Sequence, residues 1–498
     1  ILTERMFFNV ACVWEAVTRH DLHANNCTRK RLMAFAQILI TGFEAAGFRC
    51  HQRNSSLNAF LRKAVLSYHR QPRTTIGSMK RGYLMLRYHA TFDRRADVSI
   101  DDWRSTIGHV LPKCWRNITP HRAFCVSKTQ RALPVPDQYT IDRALEKAKE
   151  TFSTAVSKRP VDLSVQLSVL IPRVRGIHPP CIKGGTYPET GTPVPIFGTS
   201  ATSLNTRKDG GRAGILFQCE RRRKPMGAVL ALKRQSAIKR TEAPQRFSFL
   251  NFKSSELVSW SCRESLEEMK IKFPYNPDSK FEVVPERGFK GRVVTKSHPL
   301  LVTDGHMLRR RFFPTLSKRS FWSAPLAEKE WYTFSAPKQK RGRQYYFLSA
   351  DLSKATDGLA HYNVEQFCDL ASIDPDLIYR NMTVEGIPVK RGIFMGLPMS
   401  WTILSYVHAA ICLKVTGGRS RSFYIKGDDL IAYWTMREIR IYRNLLGGCG
   451  LDLNDAKTFV SKTRAIFCEE IFMGIRSRDN VHMGLVRVPT LSVRRFTP

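Results

Sequence analysis

The chain alternates apolar and polar positions most clearly around residue 428. Phe423-Tyr424-Ile425 and Leu430-Ile431-Ala432-Tyr433-Trp434 flank Lys426-Gly427-Asp428-Asp429. The pattern predicts two strands joined by a tight turn at Lys426-Gly427, with both aspartates at the hairpin tip. A second aromatic run, Tyr345-Tyr346-Phe347-Leu348-Ser349-Ala350, predicts a strand that ends at Asp351. A turn of small residues follows it, up to Asp357-Gly358. From Glu286 to Lys296 basic residues alternate with apolar ones, so a strand there can point Lys290, Arg292 and Lys296 the same way. Residues 392–413 carry no Lys, Arg, Asp or Glu. Gly396 and Pro398 predict a loop, Ser400 an N-cap, and Trp401 the start of a helix. The stretch is long enough to cross a bilayer, but two glycines, a proline, serines and His408 favour a buried helix.

Upstream the pattern is sparser. Residues 31–47 predict an apolar helix ending at a glycine, and residues 138–158 an amphipathic helix with Glu146, Lys147, Lys149 and Glu150 on its wet side. Residues 176–212, rich in Gly, Pro, Thr and Ser, predict a long mobile connection. No internal repeat is visible.

Charge changes the picture. The 498 residues contain 80 Lys and Arg against 42 Asp and Glu, a formal net charge of +38. A folded body so unbalanced repels itself unless a polyanion is near, which points to nucleic acid and to salt-dependent binding. Basic runs at Arg221-Arg222-Arg223-Lys224, Arg309-Arg310-Arg311 and 338–343 are each, alone, more often solvated faces than specific contacts. The last two flank the candidate site and are the better choices for a nucleic-acid channel. The 12 cysteines include no Cys-x-x-Cys pair, which argues against a zinc site or disulfide framework and for reduced thiols. No signal peptide is expected at the front, where the chain begins at Ile1.

The acids give the charge a chemical focus. Two adjacent carboxylates in a turn repel, and a divalent cation would offset that repulsion. A lone Asp-Asp turn is usually a solvated loop, and Asp351 alone could be a helix N-cap. Together, Asp351 at a strand end and Asp428 at a neighbouring tip could hold two hard cations about 3.5–4 Å apart, the clamp of phosphoryl transfer. The basic comb at 290–296 would suit a triphosphate, the plainer reading being a charged edge strand.

In this order the segments resemble the motifs of viral RNA-dependent RNA polymerases. Residues 286–296 resemble motif F, Asp351–Asp357 motif A, Gly396–His408 motif B and Lys426-Gly427-Asp428-Asp429 motif C. Residues 450–458, with Lys457, resemble motif D, and Phe467-Cys468-Glu469-Glu470 motif E. The wording of Asp351–Asp357 and Met395–Trp401 is most similar to the ourmia-like (botourmiavirus) branch, near the narnaviruses. The resemblance covers about residues 280–475.

It implies an RNA-directed RNA polymerase of α+β class in the right-hand shape of fingers, palm and thumb, with an antiparallel palm sheet. Residues 1–240 would form an N-terminal region and part of the fingers, 241–344 fingers with motif F, 345–466 the palm, and 467–498 motif E and a short or truncated thumb. Asp351, Asp428 and Asp429 would hold two Mg²⁺ ions, with Mn²⁺ as a substitute. Lys290, Arg292 and Lys296 would neutralise the triphosphate, and Asp357 would bind the ribose 2′-hydroxyl. Lys457 would donate a proton to pyrophosphate, the plainer alternative being a surface lysine after a turn. Ser400 would take the motif B serine role, with Thr402 beside it among the nucleotide contacts. Many such polymerases carry an Asn in motif B; Pro398-Met399-Ser400-Trp401-Thr402 has none. Partners would be RNA template, RNA product and NTPs, without DNA or a membrane span, in the host cytoplasm, with the mitochondrion the less favoured place. The alternatives are a reverse transcriptase and a non-enzymatic basic RNA-binding protein; Lys-Gly-Asp-Asp and the acid Asp357 speak against the first, the spaced carboxylates against the second.

Overall fold

The computed structural model describes residues 26–50, 55–91, 107–115, 117–171, 200–209, 211–212, 269–335, 344–476 and 482–490. The runs at 221–224 and 338–343, and most of the 176–212 connection, lie outside these residues.

An N-terminal group of helices comes first: α1 (Asn26–Ala45), α2 (Ser55–Arg70), α3 (Pro72–Thr91) and α4 (Pro120–Lys128). Thr119 caps α4 and Pro120 occupies its first turn, where a missing N–H costs nothing. Their apolar stripes close on one core that includes Leu32, Phe35, Leu61, Met79, Tyr83 and Leu86. Next come α5 (Gln138–Ser153), capped by Asp137, and α6 (Ser164–Leu170).

β1 (Asp278–Glu286) and β2 (Lys290–Lys296) form an antiparallel hairpin at the edge of a four-stranded sheet. α7 (Pro299–Leu316) and α8 (Ser320–Leu326) follow, then β3 (Trp331–Ser335). β4 (Tyr345–Ala350) leads through α9 (Ala355–Gly358) and α10 (His361–Ala371) to the short strands β5 (Thr383–Val384) and β6 (Ile387–Pro388). α11 (Ser400–Thr416) is buried on nearly every side, then β7 (Phe423–Lys426), β8 (Asp429–Thr435) and α12 (Met436–Gly448) complete the centre. β9 (Phe459–Ser461), β10 (Arg464–Phe467), β11 (Glu470–Arg476) and β12 (His482–Arg487) close the described chain.

Two antiparallel sheets matter for the site. One runs β7-β8-β4-β9, the other β10-β11-β12-β3. The first shares a large core with α11, through residues such as Phe347, Leu348, Ile403, Val407, Ile431 and Trp434. Thr435 and Glu438 form a reciprocal capping box that starts α12 directly off β8. The fold is therefore mixed α+β with an antiparallel sheet at its centre.

Local expectations differ from the structure at several boundaries. The first helix begins earlier, at Asn26, and ends at Ala45, with Gly47 left-handed at φ +81°. The amphipathic helix stops at Ser153, not 158. Met399, not Ser400, is the N-cap of α11; Ser400 is the first helical residue and its hydroxyl donates to the Leu397 carbonyl at 2.7 Å. The hairpin turn is Gly427-Asp428, because Lys426 and Asp429 already pair across it. Only Asp428 is at the tip, and Asp429 opens β8. Among the described residues no helix is long and apolar enough to cross a membrane.

Candidate active site

Strand register builds the centre. β4 pairs antiparallel with β8, the last pair being Ala350 with Leu430, so the next step sets Asp351 beside Asp429. On its other side β4 pairs with β9, with Ser349 opposite Phe459. Beyond that pair the register breaks, Leu352 bridging Leu453, and a 3-10 turn at Asp455–Lys457 brings Lys457 to Asp351, where Lys457 Nζ donates to Asp351 Oδ2 at 3.0 Å. Asn454 Nδ2 reaches the same oxygen at 3.3 Å, and the Asn454 amide donates to the Asp351 carbonyl at 2.8 Å. Asp429 at the start of β8, Asp351 just past the end of β4 and Lys457 in the turn before β9 thus meet, with Asp428 on the adjoining turn.

The acids feel one another. Burial raises the Asp428 carboxyl, and the Asp351 charge raises it further; its own backbone amide, Lys457 and Lys290 oppose this. Burial, then Asp428, Asp351 and Glu469, push Asp429 up to about 7, against Lys457. Among the described residues no three His, Cys, Asp or Glu side chains close into a ready-made metal cage. The donor set nonetheless suits hard divalent cations: oxygen ligands only, mutually repelling, with an ammonium already held by Asp351.

The turn itself is held from behind. Gly427 has φ +69°, and a Cβ there would lie 2.2 Å from Trp401 Nε1, so both backbone and space require glycine. The Gly427 carbonyl is 2.8 Å from His408 Nδ1, and His408 Nε2 is 2.7 Å from the Tyr442 hydroxyl. His408 and Tyr442 are fully buried. Burial pushes His408 down to about 4, so the neutral ring donates from Nδ1 and accepts at Nε2. Trp401, His408 and Tyr442 were not singled out by pattern as site residues. A histidine in an uncharged helical stretch reads equally well as core.

The expected nucleotide contacts are distributed unevenly. Lys290, Arg292 and Lys296 lie on β2, an edge strand, as the plainer reading required. Arg292 Nε pairs with Glu286 Oε1 and Lys296 Nζ with Glu282 Oε1, both at 2.7 Å. Lys290 is lowered by partial burial, by Arg292 and by Lys457, while Glu286 and Asp351 act in the opposite sense. Asp357, in α9, is pushed up to about 6 by burial, against a hydrogen bond from the Thr356 hydroxyl. The backbone of Asp357 lies so close to Gly392 that a Cβ on Gly392 would sit 2.4 Å from the Asp357 carbonyl. Ser400 and Thr402 are both buried, and the Thr402 hydroxyl has no partner among the described residues. Ser400 Oγ is engaged by the Leu397 carbonyl, so of the two only the Thr402 hydroxyl is left over inside the packed start of α11.

Opposite the hairpin, the β10–β11 turn is Cys468-Glu469, with φ +50° and +62°. Neither is glycine, so this turn carries strain on the order of 1 kcal/mol at each residue. Its neighbours hold it. Glu469 pairs with Arg87 at 2.5 Å and Arg131 at 3.2 Å, and Glu470 with Lys128 at 2.9 Å.

Comparison with known proteins agrees with this chemistry. No family model matches the chain. The chain is 31% identical over 230 residues to the RNA-directed RNA polymerase of Saccharomyces 23S RNA narnavirus, a match covering 39% of this chain and 24% of that protein. It is 28% identical over 251 residues to the RNA-directed RNA polymerase of Saccharomyces 20S RNA narnavirus, covering 44% of this chain and 29% of that protein. The matches thus span only about a quarter of each relative's length. Among solved structures, the insertion-loop deletion mutant of the RNA-dependent RNA polymerase of a human picorbirnavirus aligns at 13% identity and TM-score 0.28, over 43% of this chain and 47% of that one. So slight a likeness in shape carries no argument. Over these 230 and 251 residues the chain is similar in sequence to narnavirus RNA-directed RNA polymerases.

Proposed function

We propose that this chain carries the catalytic part of a viral RNA-directed RNA polymerase, a nucleotidyltransferase that copies single-stranded RNA from NTPs and releases pyrophosphate. The observation that carries the reading is the meeting of Asp429, Asp351 and Lys457 at the ends of β8 and β4 and in the turn before β9, with Asp428 on the turn beside them. Kinship with the narnavirus polymerases supports it.

In this reading residues 345–466 serve as palm, 241–344 with β1–β2 as fingers, 1–240 as an N-terminal region and part of the fingers, and 467–498 as motif E and the start of a thumb. Asp351, Asp428 and Asp429 would hold two divalent cations, Mg²⁺ or in its place Mn²⁺. Such a pair, when bound, makes the 3′-hydroxyl more acidic and offsets charge on the leaving pyrophosphate. The remaining roles belong to side chains. Arg292 and Lys296 exchange Glu286 and Glu282 for triphosphate oxygens, and Lys290 adds a third cation. Asp357 accepts a hydrogen bond from the ribose 2′-hydroxyl. Lys457, already at Asp351, moves a proton to the pyrophosphate oxygen. Ser400, at the start of α11, takes the motif B serine role, with Thr402 beside it among the nucleotide contacts. We place the work in the host cytoplasm, on RNA template and product.

The test is incorporation of labelled NTPs on a single-stranded RNA template with Mg²⁺, comparing wild type with Asp428→Asn. Synthesis by the wild type alone is expected. Efficient synthesis from dNTPs would replace this reading with reverse transcription. No synthesis by either protein, with RNA retained by both, would leave a binding protein.

A further inference from the structure

The β1–β2 hairpin is not free-standing. Its tip, Gly288-Phe289, is left-handed at both residues, φ +88° and +53°. Three hydrogen bonds hold that tip to the N-terminal helices and the segment after them. The Gly288 amide donates to the Leu133 carbonyl at 2.7 Å, and the Phe289 amide to the Pro134 carbonyl at 2.8 Å. Lys80 Nζ, from α3, donates to the Phe289 carbonyl at 2.9 Å. The Phe289 ring packs on the core of the N-terminal helices, 5.9 Å from the Lys80 ammonium.

That carbonyl is bonded to the amide of Lys290, so the Lys80 ammonium sits against the first residue of the basic strand. Among the described residues neither Lys80 nor Lys290 has a carboxylate within ion-pair distance, whereas Arg292, Lys296 and Lys457 each have one. Lys80 is half-buried, and burial, then Lys290 and Lys457, lower its affinity for a proton. Cations so gathered repel one another, Glu286 and Asp351 offset that repulsion only in part at Lys290, and the cluster is stabilised by whatever polyanion enters it. The nearby acids, Asp351 with Asp428 and Asp429, are the groups assigned above to divalent cations, which leaves Lys80 and Lys290 for the anion.

We infer that Lys80 is a further nucleotide-binding residue, which completes with Lys290 and Lys457 the seat of the triphosphate and makes the N-terminal helices part of the nucleotide site. The inference rests on the polymerase reading. It gives the otherwise unassigned N-terminal region a role: it brings one cation of its own and fixes the strand that brings the others.

The experiment uses the full chain with Lys80→Gln and Lys80→Arg. Glutamine keeps an N–H to offer the Phe289 carbonyl but removes the charge; arginine keeps the charge. Inorganic tripolyphosphate serves as competitor in NTP incorporation. Loss of one charge-assisted contact should raise KM for NTP, and weaken tripolyphosphate inhibition, by about tenfold in Lys80→Gln, with kcat changed by less than about twofold. Thermal stability should match wild type, and Lys80→Arg should restore both constants. Unchanged KM and inhibition in Lys80→Gln, with an active wild type, overturn the inference and leave Lys80 a brace. A wild type that makes no RNA sinks the polymerase reading instead. Calorimetric titration with tripolyphosphate then decides for Lys80: weaker binding by Lys80→Gln than by wild type sustains it, and equal binding or none rejects it.

Discussion

Lys457 Nζ and Asp351 Oδ2 are 3.0 Å apart because the 3-10 turn Asp455–Lys457 ahead of β9 folds back on the end of β4, while the pairing of β4 with β8 sets Asp429 on the far side. The lysine side chain is 45% exposed and the aspartate 19%, so the contact can open toward solvent without disturbing the core. The ammonium occupies a place where a cation is needed and competes with any metal that would take Asp351.

Lys457→Met therefore separates two effects. Removal of the competitor should let Mn²⁺ bind at lower concentration, read by electron paramagnetic resonance of the free ion. Removal of the proton donor should slow turnover by about 10²-fold. Tighter metal binding with slower synthesis is the expected pair. Unchanged metal binding would show that the lysine does not guard Asp351.

Protonation gives a second handle. Asp429 titrates near 7, well above the ordinary 3.8, so its contribution to stability is complete below about pH 4 and is lost as pH rises through 7. Asp357, near 6, acts in the same direction over a narrower window. Glu469, held down to about 2, acts oppositely but only below about pH 4.5. His408, held down to about 4, and His306, held down to about 3, act oppositely up to about pH 6.5, so the metal-free chain should lose melting temperature between about pH 6.5 and 7.5, and Asp429→Asn should flatten that slope. A slope identical in wild type and variant would refute the assignment. The half-saturating Mg²⁺ concentration should fall over the same range, since the carboxylates must be ionised to bind.

How far the site was legible varies with the physics. Strand alternation made β4, β7 and β8 visible, and the acids at their ends followed from it. The turn was misplaced by one residue because only pairing across the hairpin, Lys426 with Asp429, sets its register. The Ser400 cap was misread because Ser400 Oγ donates to the Leu397 carbonyl rather than accepting from the helix. Trp401, His408 and Tyr442 touch Gly427 or its partner only after the chain has folded back over long separations, which no local pattern reports. Lys80 and the ion pairs of Glu469 were hidden for the same reason.

The His408 relay should act on the turn rather than on the substrate. His408→Ala strands the Gly427 carbonyl and the Tyr442 hydroxyl in a buried space, at a cost of about 1–3 kcal/mol for each unsatisfied group, and opens a cavity. Tyr442→Phe removes only the outer bond and should cost about 1 kcal/mol. If the relay aims Asp428, both variants should raise the metal concentration needed for half-maximal synthesis while RNA affinity holds. His408→Asn keeps a donor near the Nδ1 position and should recover most of the metal affinity. Variants that lose stability but keep wild-type metal dependence would reduce His408 to packing.

The ion pairs at the β10–β11 turn argue for a larger coupling. Arg87 is 7% exposed, and Glu469, at 27%, is its carboxylate partner. Glu469→Ala leaves the guanidinium buried without that partner and frees Arg131 as well. The expected loss is about 3 kcal/mol, the low end for breaking a buried pair, because the glutamate is partly solvated. The same substitution relieves Asp429 of one negative neighbour, so the Asp429 carboxyl should titrate lower than in wild type. Thermal denaturation and the pH dependence of metal binding measure the two effects separately. Lower stability together with metal binding that begins at lower pH is the expected combination. Lower stability alone would show that the strained turn only fastens the N-terminal helices, with no electrostatic link to the acids of the site.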